Sequence, residues 1–541
     1  MKYPLELATV LVYFGVFIGI GFLWKQKADE SWESFYLANR ELSLPLYVGT
    51  MVASMFSGVV FLGDPEVGWT YGFVAWYIYG WVWLVGRLPL AWVGGALRQY
   101  MPPSVQTLPD MMEHLYDRKC SALAAVLALG FTVGRFIAQI LSVAFLFNFL
   151  LGMPMNVGLL LGAIIISVYV LLSGLWGVVI TDVVQLILML VGMGAVGFLA
   201  FRAVGGFPGL VASLPATHLT LLAGKSWNYW LVMCFAMSMY AYGDPMLYQR
   251  FIAAKDKKTA RNGFFITVLF WLMLIFISVT NGMSARVLFY PGITNVETAM
   301  FTMFTAYLPH LVGALFIGAV LCACMSTADT YILLAAAFIS KDIYAKYINP
   351  KADDKKLIFL TRVFIPIVVA VGAITATLFP GVWDAWITVV YSYGPVVFAP
   401  VVLGIVWMVK GWKMSRSSGF ASMLAGLTFF IFRYGFGMAK NPSFLISIAL
   451  STGIFVVINA VYGIQTDWRL AGAAASDTIV VDRSKWMWII PIIFTAYGLI
   501  AYATLASWMV YLVCIATALS GPGLLILWIK DAQRNKKLAS S

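Results

Sequence analysis

Residues 44–65 read LPLYVGTMVASMFSGVVFLGDP. The stretch is apolar enough to cross a bilayer, but small and hydroxyl residues crowd its middle, from Gly49 and Thr50 through Ala53, Ser54 and Ser57 to Gly58, before Gly63-Asp64-Pro65. A helix of that composition is poorly suited to stay continuous. Where a helix unwinds at membrane depth its freed carbonyls need partners, and a desolvated alkali cation, hard and oxygen-seeking, is a suitable one. Close helix packing through small residues accounts for the same composition without a ligand.

The chain around this stretch is built for a membrane. Of its 541 residues 62% are hydrophobic and 11% charged, against about 45–50% and about 25% in ordinary globular domains. At about 20 residues per helical crossing, apolar stretches bounded by charges, Gly or Pro fall at 5–24, 44–64, 71–97, 121–151, 156–175, 178–204, 227–252, 261–288, 309–343, 357–379, 383–410, 417–434, 444–464, 486–506 and 508–529. No Gly or Pro marks a turn between the last two, so the expected count is thirteen to fifteen spans, and a single-span receptor is excluded. The first stretch is too long for a signal h-region and has no small-residue cleavage site, so it reads as a retained span.

The net charge of +12 lies in short clusters between spans, not along one helical face, so no nucleic-acid partner is expected. Lys25, Lys27 and Arg40 follow the first span, Arg98, Arg118 and Lys119 the third, and Arg250, Lys255, Lys257, Lys258 and Arg261 the seventh. The same parity continues to Lys530, Arg534, Lys536 and Lys537 at the C-terminus. Basic loops stay cytoplasmic, so the expected topology is multi-pass in the plasma membrane, with the N-terminus outside and the C-terminus cytoplasmic. Five scattered cysteines and three histidines form neither a disulfide framework nor a transition-metal pattern. No connection is long enough to be a soluble catalytic domain, so an enzyme is not expected.

Polar residues inside apolar spans are functional candidates by default, because lipid disfavours them. Ala323-Cys324-Met325-Ser326-Thr327-Ala328-Asp329-Thr330 puts three hydroxyls and a carboxylate within two turns, with Ala323, Ser326 and Thr327 on one face. Those oxygens suit a cation shell begun by another helix, while back-bonding to their own helix is the bland alternative. Asp182 reads equally as an ion ligand and as an interfacial carboxylate. Arg135 lies mid-span with Gln139 one turn later; it stays charged, so it needs either an internal salt bridge or an anionic ligand, which it can clamp bidentately. Tyr240-Ala241-Tyr242-Gly243-Asp244-Pro245 marks another break, with Asp244 a candidate.

In order, Phe35-Tyr36-Leu37-Ala38-Asn39-Arg40, Thr107-Leu108-Pro109-Asp110, Ser173-Gly174-Leu175 through Thr181-Asp182-Val183-Val184-Gln185, Gln249-Arg250-Phe251-Ile252-Ala253-Ala254-Lys255, and Met325-Ser326-Thr327-Ala328-Asp329-Thr330 through Asp342-Ile343-Tyr344 resemble blocks of the sodium:solute symporter family. The resemblance runs from about residue 5 to residue 465. It implies an all-α, LeuT-like fold of two five-helix inverted repeats with a broken first helix in each. Its core would span 44–410, with repeats at 44–204 and 227–410, preceded by one span and loop at 1–43 and followed by additional helices and a tail at 411–541. It implies a sodium site formed by backbone oxygens of Ala53, Phe56 and Ala323 with the hydroxyls of Ser326 and Thr327. Some members are similar in a second-ion arrangement that corresponds to Asp182, Ser326, Asp329 and Thr330, although Asp329 stands where such members have a hydroxyl. Substrate positions carried over are Ser57, Val60, Tyr79, Arg135, Tyr242 and Asp244, with Gln139 beside Arg135.

The expected function is sodium-coupled import of a small solute by alternating access, Na+ being the coupling ion and a carboxylate-bearing organic or amino acid the solute that Arg135 suggests. The rivals are a proton-coupled transporter of the same fold, which Asp329 favours, and a transporter-like membrane sensor. The expected partners are the solute and the lipid bilayer, and a monomer is compatible with the sequence.

Overall fold

A computed structural model describes residues 4–80, 86–293 and 295–462. Regular structure among these is helical, apart from one isolated β-bridge between Leu42 and Ala254. Eight helices are long and apolar enough to cross a membrane, and the bent pair Leu44–Met55 and Val59–Tyr71 makes a ninth. The other expected segments are shorter or interrupted: 71–97 gives Ala75–Gly80 and Leu90–Tyr100, and 227–252 gives Trp227–Met239, a turn and Pro245–Ala253. The stretches 486–506 and 508–529 lie outside the described residues.

The described chain forms two compact units. The first takes residues up to 80, then 125–224 and 245–389. Its elements are α1 (Pro4–Ala28), α2 (Leu44–Met55), α3 (Asp64–Tyr71), most of α4 (Arg118–Leu151), α5 (Met155–Ala203), α6 (Pro245–Ala253), α7 (Lys257–Phe289), α8 (His310–Ala337, prolonged by a wider-wound turn to Ile348) and α9 (Asp354–Ala376). Every residue from 316 to 337 in α8 is buried, which is why its sequence is apolar all round instead of striped. Helices α1 and α5 pack on α8 and on each other, α2 packs on α5, and α7 supports both α2 and α3. Leu11, Val12, Phe22 and Leu23 of α1 and Ile187, Val191 and Phe198 of α5 point outward instead, as suits helices with one side in lipid.

Two expected spans, 156–175 and 178–204, run together in α5 around a single break at Gly174 (φ 51, ψ −176). A Cβ there would lie 2.9 Å from Ala28 Cβ and 3.0 Å from Phe35 Cδ2, so only glycine fits both the backbone and the space. Beside this corner, Arg362 of α9 grips Asp29 through both terminal nitrogens and donates Nε–H to the Leu171 carbonyl at 3.0 Å, while Lys25 reaches Asp29 at 2.8 Å. Partial burial pushes the Asp29 carboxyl up, but the hydrogen bonds from Arg362 and Lys25 outweigh it and hold the group below its ordinary value.

The second unit holds 86–124, 225–244 and, among the described residues, 390–462. Its interior is fixed by polar ties: buried Arg87 donates to Tyr240 Oη at 2.8 Å and to the Met237 carbonyl at 3.3 Å, and Tyr116 Oη donates to the Pro400 carbonyl at 2.5 Å.

Two outcomes follow for stability. Gly174→Ala should cost about 1–3 kcal/mol through its positive φ alone, whereas Gly130→Ala, on an exposed helical site with nothing within 4 Å, should be neutral or stabilising by up to about 1 kcal/mol; melting of both variants in detergent compares them. Because its folded value is depressed, Asp29 stabilises above the unfolded value of about 3.9 and loses that contribution as pH falls through the folded value. The melting-temperature gap between wild type and Asp29→Asn should therefore be widest well above the unfolded value and shrink progressively as the pH is lowered below it.

Candidate functional site

The helix carrying the opening sequence is broken. Helix α2 makes its last regular bond from Phe56 N–H to the Val52 carbonyl at 2.8 Å, Phe56 leaves helical geometry (φ −78, ψ 66), and the chain resumes at an angle of 54°. A break at this depth orphans backbone groups, and each must find a partner. Gly58 N–H donates to Gln139 Oε1 at 2.9 Å, Val59 N–H to Ser57 Oγ at 3.2 Å, and the Val60 carbonyl accepts from Ser278 Oγ at 2.5 Å. A Cβ on Gly58 would lie 2.4 Å from Ser142 Oγ and 2.9 Å from Cys324 Sγ, so the glycine lets α4 and α8 close onto the break.

The carbonyls on the other side of the break face the hydroxyls of α8. Ser326 Oγ lies 3.1 Å from the Ala53 oxygen and 3.0 Å from the Ala323 oxygen; Thr327 Oγ1 lies 3.0 Å from the Ser54 oxygen and 3.3 Å from the Ala323 oxygen. Ala53, Ala323, Ser326 and Thr327 thus converge as the sequence resemblance implies, and the Ser54 carbonyl joins them. Phe56 is buried at the break itself. The donor set, neutral and all oxygen, fits a hard monovalent cation. A hard cation of calcium's size holds oxygens at about 2.3–2.6 Å, which in octahedral packing separates neighbours by roughly 3.3–3.7 Å, so for an ion of that size the cluster needs to open by only a few tenths of an ångström. Each hydroxyl now donates its proton to a carbonyl and would rotate to offer a lone pair instead.

One turn toward the N-terminus of α2 lies a charged cluster, wholly buried. Asp182 Oδ2 accepts from Thr50 Oγ1 at 2.6 Å and Ser54 Oγ at 3.2 Å, and Arg250 Nη2 stands 4.0 Å away. The same nitrogen donates to Thr330 Oγ1 at 2.8 Å, Ser54 Oγ at 3.3 Å and Thr50 Oγ1 at 3.4 Å. Of the four residues grouped as a second ion site, Asp182 and Thr330 meet here, Ser326 turns to the Ala53 carbonyl, and Asp329 accepts the Thr330 N–H at 2.5 Å. Arg250 is the residue that charge parity had put in a loop. The signal lay in its setting: it sits within α6 between Leu247 and Phe251, both buried.

Among the substrate candidates, Arg135 is buried with its guanidinium carbon 5.1 Å from the Tyr331 ring centre and 6.0 Å from that of Trp386. Gln139 is committed to the break, its amide nitrogen 3.4 Å from the Arg135 carbonyl. Ser57 and Val60 form part of the break, and the side chain of Tyr79 lies outside the described residues. In the second unit, Tyr242 Oη donates to the Gly86 carbonyl at 2.6 Å, Tyr393 Oη donates to the Gly243 carbonyl at 3.1 Å, and Asp244 is buried.

With this geometry in view, comparison with known proteins gives a coherent picture. Residues 35–426 match the model of the sodium:solute symporter family. The chain is 22% identical over 467 residues to a sodium/glucose cotransporter of Vibrio parahaemolyticus, spanning 79% of this chain and 84% of that one. It is 24% identical over 422 residues to a sodium/pantothenate symporter of Haemophilus influenzae (73% and 83%) and 25% identical over 439 residues to sodium/proline symporters of Staphylococcus aureus (77% and 83%). Among solved structures, a Na+-coupled sialic acid symporter in an outward-open state aligns with a TM-score of 0.71 at 15% identity, over 86% of this chain and all of that one. Mhp1, a nucleobase-cation-symport-1 family transporter, aligns at 0.50 and 13% identity, over 93% and 98%. The fold is therefore LeuT-like, as the sequence blocks imply.

If Gln139 holds the break, Gln139→Ala should leave the buried Gly58 N–H unsatisfied and cost about 1–3 kcal/mol. Melting of the purified variant measures this, and an unchanged melting temperature would show that another group or water caps the break.

Proposed function

The chain belongs to the sodium:solute symporter family, and on that premise we propose that it imports a small carboxylate-bearing solute together with sodium. It is a multi-pass membrane protein, and in this reading its N-terminus lies outside and its C-terminal tail in the cytoplasm. The observation that carries the proposal is the facing of the Ala53 and Ser54 carbonyls, freed by the break, against the Ser326 and Thr327 hydroxyls. A sodium ion entering there bridges α2 and α8 through shared ligands, the cluster opening slightly to admit it. It favours whichever state brings those ligands to coordination distance, and it shifts the equilibrium by its difference in affinity between states. The solute's carboxylate is assigned to Arg135, whose charge is permanent and whose fork suits two oxygens. Ser57 and Val60 at the break, and Tyr79, are the remaining positions of the first unit proposed to line its path; for Tyr242 and Asp244 of the second unit the sequence resemblance alone supports a solute role.

The test is melting of the purified protein in sodium chloride against choline chloride at equal ionic strength. At a hundredfold excess over Kd, one bound ion stabilises by about 2.7 kcal/mol. Wild type should show a sodium-specific rise that Thr327→Ala loses, and a panel of small carboxylates should add a further rise that Arg135→Ala loses while keeping the sodium response. No sodium effect in the folded wild type would sink the cation site. A carboxylate response that survives Arg135→Ala would remove the clamp and leave the cation site standing.

A further inference from the structure

Two ties to the break meet at Arg135. On its own helix, α4, it stands one turn before Gln139, which caps the Gly58 N–H and keeps its amide nitrogen 3.4 Å from the Arg135 carbonyl. Toward α8, its guanidinium carbon lies 5.1 Å from the centre of the Tyr331 ring. Tyr331 in turn stands one turn after Thr327, whose hydroxyl meets the Ser54 carbonyl at 3.0 Å. Side chains four apart on a helix share a face, so the residue at the oxygen cluster and the residue at Arg135 are neighbours on α8. All of these side chains are buried.

The Tyr331 ring has little freedom. Phe131, one turn before Arg135 on α4, meets it edge-on, with ring centres 6.1 Å apart and planes at 76°, a favoured aromatic geometry. A second ring reaches the guanidinium at 6.0 Å, that of Trp386 in the helix Val382–Val397. Gly134 lets that helix come close, since a Cβ there would lie 2.5 Å from Val389 Cγ2. A cation within about 6 Å of a ring centre is attracted to the ring face, and a planar guanidinium stacks on it. The direction of the Arg135 fork therefore follows the rings around it.

We propose that Tyr331 is the positioning residue through which the ion cluster acts on Arg135. Sodium at Ser326 and Thr327 sets α8, α8 carries the Tyr331 ring, and the ring orients the guanidinium for the solute's carboxylate. The inference rests on the symport reading above and adds its coupling element. Coupling travels through packed side chains and rigid secondary elements, and one buried helical turn from Thr327 to Tyr331 supplies both. The opening that an ion demands at Thr327 reaches Tyr331 without crossing a loop or a hinge. By reciprocity, whatever sodium does for the solute's affinity the solute does for sodium's. Packing alone would account for the ring but would leave Arg135 indifferent to the ion.

The probe is sodium alone. The full-length protein in nanodiscs, isotopically labelled in its arginine side chains, is observed by NMR in sodium chloride and in choline chloride at equal ionic strength, the Arg135 signal being identified by its loss in Arg135→Lys. Melting of the same samples reports whether sodium binds. In wild type, sodium should raise the melting temperature and shift the Arg135 signal. Tyr331→Phe, which keeps the ring, should retain both responses, whereas Tyr331→Leu should retain the melting response and lose the shift. A wild type stabilised by sodium with no shift at Arg135 would overturn the proposal and leave the cation site standing, and that outcome needs no variant to fold. A folded Tyr331→Leu protein whose Arg135 signal still shifts as in wild type would also overturn it. No sodium-specific stabilisation of the wild type would refute the cation site itself, and the proposal with it.

Discussion

The molecule depends on an unsatisfied backbone. A transmembrane helix normally closes its own hydrogen bonds; α2 does not, and the break leaves the Gly58 and Val59 N–H groups on one side and the Ala53 and Ser54 carbonyls on the other. The donors are dealt with permanently by Gln139 and Ser57. The acceptors are dealt with conditionally, by hydroxyls on α8 whose protons are free to rotate. That asymmetry separates the scaffold from the proposed site: a side-chain amide locks half of the break in place, while the other half is held by hydroxyls that the proposal has turning their lone pairs to an ion.

The surrounding helices read as consequences of this need. Helix α8 must be buried on all sides to bring its hydroxyls to the break away from water, and it is. Helix α5 must turn sharply to pack on both α1 and α8, which demands glycine at 174. Ser278 of α7 takes the Val60 carbonyl, so the lower-order part of the broken segment is braced from a third direction.

How much of this the sequence disclosed depends on how far each signal reaches. Ser326 and Thr327 drew notice because two hydroxyls at helical spacing stand in an apolar run, and the structure places them against the Ala53 and Ser54 carbonyls; the break within residues 49–58 was legible because small residues advertise one. Asp182 was visible as a charge in a span, but its two readings stayed balanced because nothing local names its partner. That partner, Arg250, is 68 positions along the chain, and the charge-parity rule that orients the loops also swept it into one. Gln139 stood beside Arg135 and was grouped with it for the solute; its bond to Gly58 spans 81 residues. The Ser54 carbonyl was missed because a backbone oxygen carries no side-chain signal at all. Local composition announces that oxygens are needed, but which atoms meet is a matter of packing between distant helices.

The two clusters beside α2 also differ in what they cost when no ion is bound. At the break, the Ala53, Ser54 and Ala323 carbonyls and the Ser326 and Thr327 hydroxyls are partnered without an ion, so the proposed binding would need only a small opening and a rotation of protons. A bare carboxylate such as Asp182 would behave otherwise: without a cation it would carry the full penalty of a buried charge, and with one it would hold on. Supplying a guanidinium from the chain removes both problems, because the charge is balanced in every state that keeps Arg250 docked. Neutral oxygens at one level and an ion pair at the next thus divide the work, the first proposed to exchange an ion with solution and the second tying α2, α5, α6 and α8 together.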